Sequence, residues 1–161
     1  MGSFLSSQRR PEGEGPKTVL VTGCSDGGLA AAVAVAFHNA GLHVYATARD
    51  VSKMKNLAAQ GIETLELDVT SPASIKACVS RLPSLDILVN NAAVMLTVTA
   101  ADVSVEVAKK LFDTNLWGTV QMCQAFLPLL IKSKGMIVNH TSMASVLVVP
   151  GGAACAASSA R

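Results

Sequence analysis

Two sets of residues in this 161-residue chain have the types and spacing to do chemistry. The first is Thr22-Gly23-Cys24-Ser25-Asp26-Gly27-Gly28-Leu29-Ala30, a glycine-rich turn between an apolar run and an alanine-rich helical pattern. A turn at such a junction brings backbone close to a phosphate and aims helix N–H groups at it. Arg49 ends the next apolar run and carries a guanidinium able to pair with a phosphate, with the carboxylate of Asp50 beside it. The second set lies toward the C-terminus, where Asn115, His140, Ser142 and Cys155 carry an amide, an imidazole, a hydroxyl and a thiol. A thiol has a pKa of about 8.5 and is a weak donor. No His or Lys is placed by the sequence to make a thiolate of Cys155, which reads as a small residue in an Ala-rich tail. His140 reads as a packed or exposed histidine, and a mid-helix Asn115 can simply bond a backbone carbonyl. No spacing suggests a metal site or a Ser-His-Asp hydrolase.

The elements that must position these groups alternate. Thr18-Val19-Leu20-Val21-Thr22 is a buried strand, and 29–39 is a helix ended by Gly41. A second strand covers 43–48, a second helix 51–60 and a third strand 64–67. Ser71 and Pro72 supply the N-cap and first turn of a helix to about Leu82. The fourth strand is 86–90, a long helix covers 103–132 with Pro128 in its last turn, and the fifth strand is 136–139. The tail 151–159 reads as loop or weak helix. Five strand–helix alternations predict right-handed βαβ units and an α/β fold with a parallel sheet.

Composition narrows the function. Half the residues are hydrophobic and 15% are charged, which fits a sheet buried on both faces or apolar faces that expect a partner. A net charge of +2, with 13 basic and 11 acidic residues and no basic stripe, argues against nucleic acid. Cys24, Cys78, Cys123 and Cys155 form no C-x-x-C pair and no secretory segment precedes them, so a reducing cytoplasmic setting is expected. No apolar run reaches the roughly 18 residues needed for a transmembrane segment. Residues 1–16 read as a flexible leader, with 17–161 as the nucleotide-binding domain. Met1-Gly2-Ser3-Phe4-Leu5-Ser6 fits an N-acylation consensus, and one acyl chain would give weak membrane association.

The glycine loop, Ala46-Thr47-Ala48-Arg49, Leu67-Asp68-Val69, Asn90-Asn91-Ala92-Ala93, Phe112-Asp113-Thr114-Asn115 and Asn139-His140-Thr141-Ser142 together resemble the short-chain dehydrogenase/reductase family. The runs 41–49 and 65–75 are similar to fungal members of the NADPH-dependent 1-acyldihydroxyacetone-phosphate reductase type. The resemblance implies a Rossmann-type doubly wound sheet of five strands in the order 3-2-1-4-5, lacking the family's last strands. It implies NADP(H) as cofactor, held by Gly23, Ser25, Gly27, Gly28, Leu29, Arg49, Asp68, Val69 and Asn90, with Asn115 and Ser142 as catalytic residues. Ala30 and Ala93 each replace a family glycine. The family's Tyr-x-x-x-Lys begins thirteen residues after its serine, and here Cys155 and Ser159 stand in those places. A carbonyl or alcohol substrate, in fungal lipid or secondary metabolism, is therefore expected with impaired or altered catalysis. A cofactor-binding pseudoenzyme or interaction subunit, or a non-redox isomerase or cyclase, are the alternatives. Family members continue beyond this point, so the chain reads as C-terminally truncated, with a bare fifth strand and a long helix open to homo- or hetero-oligomer formation.

Overall fold

The computed structural model describes residues 15–99, 101–146 and 151–159. Most of the expected leader and the acylation consensus lie outside the described residues. Five strands form one parallel sheet: β1 (Thr18–Thr22), β2 (His43–Ala48), β3 (Glu63–Glu66), β4 (Ile87–Asn90) and β5 (Met136–Asn139). Their order is β3-β2-β1-β4-β5, as the sequence implied. Val19 pairs with Val44 on one side and Ile87 on the other, so β1 is the centre of the sheet. All five of its residues are buried, which explains an apolar run without polar alternation.

Successive side chains of a strand point to opposite faces, and β1 accordingly feeds two cores. Val19 and Val21 join Val44, Ala46, Ile87 and Val89 beneath α1 (Leu29–Asn39), whose Ala30, Ala31 and Ala34 let the helix approach closely. Leu20 joins Tyr45, Leu65 and Leu88 on the other face. That face is covered by α3 (Pro72–Arg81) and the later helix that supplies Met122, Phe126 and Leu130. Between β2 and β3 the expected helix is a 3-10 turn (Val51–Met54) leading into α2 (Lys55–Ala59). Ser71 caps α3 by accepting from the Ser74 N–H, with Pro72 in the first turn.

The long helix differs from the expected unbroken element. It comprises α4 (Val105–Phe112), one π-helical turn (Asp113–Gly118) and α5 (Thr119–Ser133). Apolar periodicity does not reveal one extra residue in a turn. What holds the wide turn is tertiary: Asn115 is buried and bonded outside the helix, and Gly118 sits where a Cβ would come within 2.9 Å of Val69 Cγ2. The tail forms α6 (Ala153–Ser159), packed against α4, the π turn and a 3-10 turn at Met143–Ser145.

β1 and β4 are locked at their N-terminal ends. Buried Asp86 accepts from both the Thr18 N–H at 2.8 Å and the Thr18 hydroxyl at 2.9 Å. Next to it the chain enters β5 through Gly135, where a Cβ would stand 2.3 Å from the Asp86 carbonyl oxygen. β5 forms the edge of the sheet, and Ile137 and Val138 are 38% and 41% exposed. Among the described residues no helix is long and apolar enough to cross a membrane.

Two consequences are measurable. Gly135→Ala must push β5 off β4, and urea denaturation is expected to show a loss of at least about 2 kcal/mol. Burial raises the Cys24 thiol to about 12 and the Cys78 thiol to about 11. Both thiols stay protonated in the folded chain at a pH where the unfolded chain has released them. Stability is therefore fully present below the unfolded thiol value of about 8.5 and falls as pH rises from there toward about 12. Denaturant midpoints taken from pH 7 to 10.5 check this, and a double Cys24→Ala, Cys78→Ala chain is expected to lose most of the slope.

Candidate nucleotide-binding site

A cleft of about 190 Å³ opens at the C-terminal ends of the central strands. It is lined by Gly23 and Ser25 of the glycine loop, Ala48 and Arg49 after β2, and Leu67, Asp68 and Val69 after β3. Residues 91–94 and Thr114 form its other wall. In a doubly wound sheet this is where the strand order reverses and where ligands bind.

The glycine loop is held to its neighbours by both its backbone and its side chains. Cys24 donates its N–H to the Thr47 carbonyl at 2.8 Å, and its buried thiol donates to the Val21 carbonyl at 3.2 Å. Asp26 donates its N–H to the Lys53 carbonyl at 2.7 Å, and its carboxylate accepts from the Asn56 N–H at 3.1 Å. The loop is thereby tied to the segment after β2. Across the cleft, the Thr22 hydroxyl accepts from the N–H groups of Asn91 and Ala92, each at 2.9 Å. Gly23 has φ +79°, and a Cβ there would lie 2.9 Å from the Ala92 Cα. Only glycine meets both the backbone conformation and the contact. Ala30 is 1% exposed and packs in the core beneath α1, so its methyl is absorbed there.

Arg49 is exposed at the cleft mouth. Asp50 is engaged elsewhere: it caps the 3-10 turn after β2 by accepting from the Ser52 N–H at 2.9 Å. Hydrogen bonds from Ser52 hold its carboxyl below the usual range. Partial burial pushes Asp68 up, yet the Thr70 hydroxyl and N–H, with Arg49 nearby, outweigh it and leave the carboxyl below its ordinary value. Asp68 is thus an anion on the cleft wall, balanced by Arg49.

Of the residues expected to hold a cofactor, Gly23, Ser25, Arg49, Asp68 and Val69 line the cleft. Gly27 and Gly28 lie in the turn behind, with Gly28 capping α1, and the Leu29 side chain is 58% exposed. Asn90 is buried beneath, donating to Asn139 Oδ1 at 2.9 Å and to the Cys123 sulfur at 3.4 Å, and so braces β4 against β5. Asn115 stands behind the cleft wall: Oδ1 accepts from the Val94 N–H at 2.8 Å, and Nδ2 donates to the Val94 carbonyl at 2.9 Å and to Ser158 Oγ at 3.0 Å. Ser142 is exposed beside the Met143–Ser145 turn and is not part of the lining. Cys155 is buried, its sulfur accepting from the Leu96 N–H at 3.1 Å and donating to the Leu96 carbonyl at 3.3 Å. Sequence reasoning missed the roles of Thr22, Asp26 and Ser158, because each acts through a partner 30 to 69 positions away in the chain. Among the described residues no group of His, Cys, Asp and Glu could hold a metal ion.

Residues 17–160 match the family described as short chain dehydrogenase. The chain belongs to that family. It is 60% identical over 126 residues to a short-chain dehydrogenase/reductase of Pestalotiopsis microspora, covering 78% of this chain and 47% of that protein. It is 41% identical over 152 residues to the NADPH-dependent 1-acyldihydroxyacetone phosphate reductase of Schizosaccharomyces pombe, covering 91% and 51%. The crystal structure of a short-chain dehydrogenase from Streptomyces avermitilis superimposes with a TM-score of 0.85 at 29% identity, covering 91% of this chain and 57% of that one. The chain spans about half the length of the curated relatives it matches. It shares that family's Rossmann-type parallel sheet, and Gly23 lines the cleft at the strand ends.

Gly23→Ala is expected to cost about 1–3 kcal/mol of stability and to abolish nucleotide binding, whereas Gly27→Ala carries the same backbone strain at φ +78° but has open space around its Cβ and is expected to perturb binding less. Thermal melts and dinucleotide titrations of the two variants check the contrast.

Proposed function

We propose that this chain forms the nucleotide-binding portion of an NADP(H)-dependent oxidoreductase for a carbonyl or alcohol substrate, with impaired proton transfer. The observation that carries the cofactor choice is the pairing of Arg49 at the cleft mouth with an Asp50 committed to capping. A free carboxylate after β2 would favour an unmodified ribose, while an exposed guanidinium suits a ribose phosphate. The fungal reductase relative is NADPH-dependent by its name, which supports the same choice. The fit of the glycine loop to a pyrophosphate is supported by Gly23 and Ser25 in the cleft lining and by Gly28, which begins α1 just behind them.

NADP(H), when bound, supplies or accepts a hydride. The chain's own groups would hold the adenosine phosphate with Arg49, approach the pyrophosphate with loop backbone and exclude water with Val69 and residues 91–94. A proton donor is harder to assign. The Cys155 thiol is buried and spent on Leu96 rather than directed at the cleft. Losing a positioned acid slows a reaction by about 10²–10⁴. That commitment of Cys155 favours a second reading, a cofactor-binding pseudoenzyme or interaction subunit. Trp117, Leu127 and Ile131 on the long helix, 54%, 46% and 67% exposed, support pairing through that helix. The fungal relatives support a role in fungal lipid or secondary metabolism.

Calorimetric titration with NADPH and NADH tests the cofactor choice. NADPH is expected to bind at least about tenfold more tightly. Arg49→Ala is expected to weaken NADPH by about ten- to a hundredfold while leaving NADH within about twofold. Equal binding of the two by the unaltered chain overturns the NADP(H) assignment.

A further inference from the structure

We infer that Asp26, which does not line the cleft, is a positioning residue that sets the distance between Arg49 and the glycine loop. One ligand can then be held at its diphosphate and at its ribose phosphate together. This rests on the NADP(H) reading above and assigns a second residue to the preference for a phosphorylated ribose. The observation behind it is a helix start that its own segment leaves uncapped. α2 follows Met54, whose side chain makes no cap hydrogen bond. First-turn N–H groups have no partner within a helix, and a carboxylate suits them in both geometry and charge. Here the carboxylate comes from 30 positions earlier: Asp26 Oδ2 accepts from the Asn56 N–H at 3.1 Å. The Asp26 N–H donates in turn to the Lys53 carbonyl at 2.7 Å. One residue of the glycine loop thus grips the segment 53–56 by backbone and side chain together.

That segment is a fixed body, because Met54 and Leu57 are buried in the core beneath α1. Arg49 lies between two fastenings of the loop to it and to β2. Before Arg49 in the chain, the Thr47 carbonyl accepts from the Cys24 N–H at 2.8 Å. After Arg49 come the two bonds of Asp26. The Cys24–Thr47 bond is backbone alone and survives any side-chain replacement. The bond of Asp26 to Asn56 is made by a side chain, so a substitution can remove it and leave the other in place. Asp50 completes the frame by taking the Ser52 N–H, which holds the turn that leads away from Arg49. A guanidinium on a long, flexible arm gains from a phosphate only if the ligand, seated at its other end, puts that phosphate within reach. A frame that fixes the spacing beforehand spares the ligand the cost of ordering it. NADH presents no ribose phosphate to Arg49, and its diphosphate meets a loop that Cys24 and Thr22 still hold. The spacing therefore matters to the phosphorylated ligand and little to the other.

The test is calorimetric titration of the full chain, Asp26→Ala and Asp26→Asn with NADPH and with NADH. Both substitutions remove the carboxylate charge, so its effect on an anionic ligand cancels when the two variants are compared. Asn keeps an oxygen for the Asn56 N–H and Ala does not, which leaves the fastening as the difference. NADPH is expected to bind at least about threefold more weakly to Asp26→Ala than to Asp26→Asn, with NADH equal within about twofold. In chains that also carry Arg49→Ala, the NADPH difference should vanish, which a general loosening of the loop would not produce. A smaller NADPH difference, an equal fall for NADH, or a difference that persists without Arg49 overturns the inference and leaves the NADP(H) assignment standing. An unaltered chain that binds NADPH no tighter than NADH overturns both. Asp26→Leu, which keeps the bulk and lacks the acceptor, takes the place of Asp26→Ala with the same expectation if circular dichroism shows that variant unfolded.

Discussion

The approach of Gly23 to Ala92 is the constraint on which the rest of the site depends. It closes the gap between the turn after β1 and the segment after β4, the two pieces of chain that border the reversal in strand order. The Thr22 hydroxyl reinforces it by taking two backbone N–H groups from the opposite side. With that gap closed, the glycine loop cannot drift, and the ends of β2 and β3 frame a cleft of fixed width. The anchoring of Asp26 to Lys53 and Asn56 does the same on the far side of the loop. The backbone that borders the cleft is thus placed by three strands rather than by any one residue.

The crevice is asymmetric in a way that a parallel sheet does not require. Its first half is lined by Arg49, by an Asp68 that holds Thr70, and by loop residues Gly23 and Ser25. Its second half turns Asn115, Cys155 and Ser158 into internal ties. The π turn contributes to this, because the extra residue in the turn goes together with an Asn115 side chain bonded outside the helix instead of along it. π turns often accompany functional sites, and here the turn supports the wall of the cleft through Val94. Cys155 behaves as a small buried residue whose thiol closes a loop.

The molecule's apolar composition is also distributed unevenly. Both faces of the sheet are covered at β1, β2 and β4, while β5 and the outer side of the long helix leave Ile137, Val138, Leu127 and Ile131 partly in solvent. Edge strands with apolar side chains invite pairing. The same edge is held to the body by Gly135 against Asp86 and by Asn90 with Asn139, so β5 keeps its place without a neighbour.

What the sequence determined by itself was the local structure and its order. The apolar runs at 18–22 and 43–48 and the alanine-rich segment 29–39 coincide with the observed elements, because burial on both faces leaves a continuous apolar signal and glycine marks where a helix must end, and the run at 136–139 coincides with the edge strand. Part of the cleft lining was legible for a similar reason: Gly23, Ser25 and Arg49 stand in a glycine-rich turn and at a strand end, which are local features placed by the strand beside them. Only the tertiary structure decided the rest. The π turn, the commitment of Asp50 to a cap, the ties of Asn115 and Cys155, and the burial of Asn90 under rather than in the cleft all depend on partners, many of them far away in the chain. A side chain's type states which bonds it can make. Which bonds remain free for a ligand is settled only when packing has brought its competitors within reach.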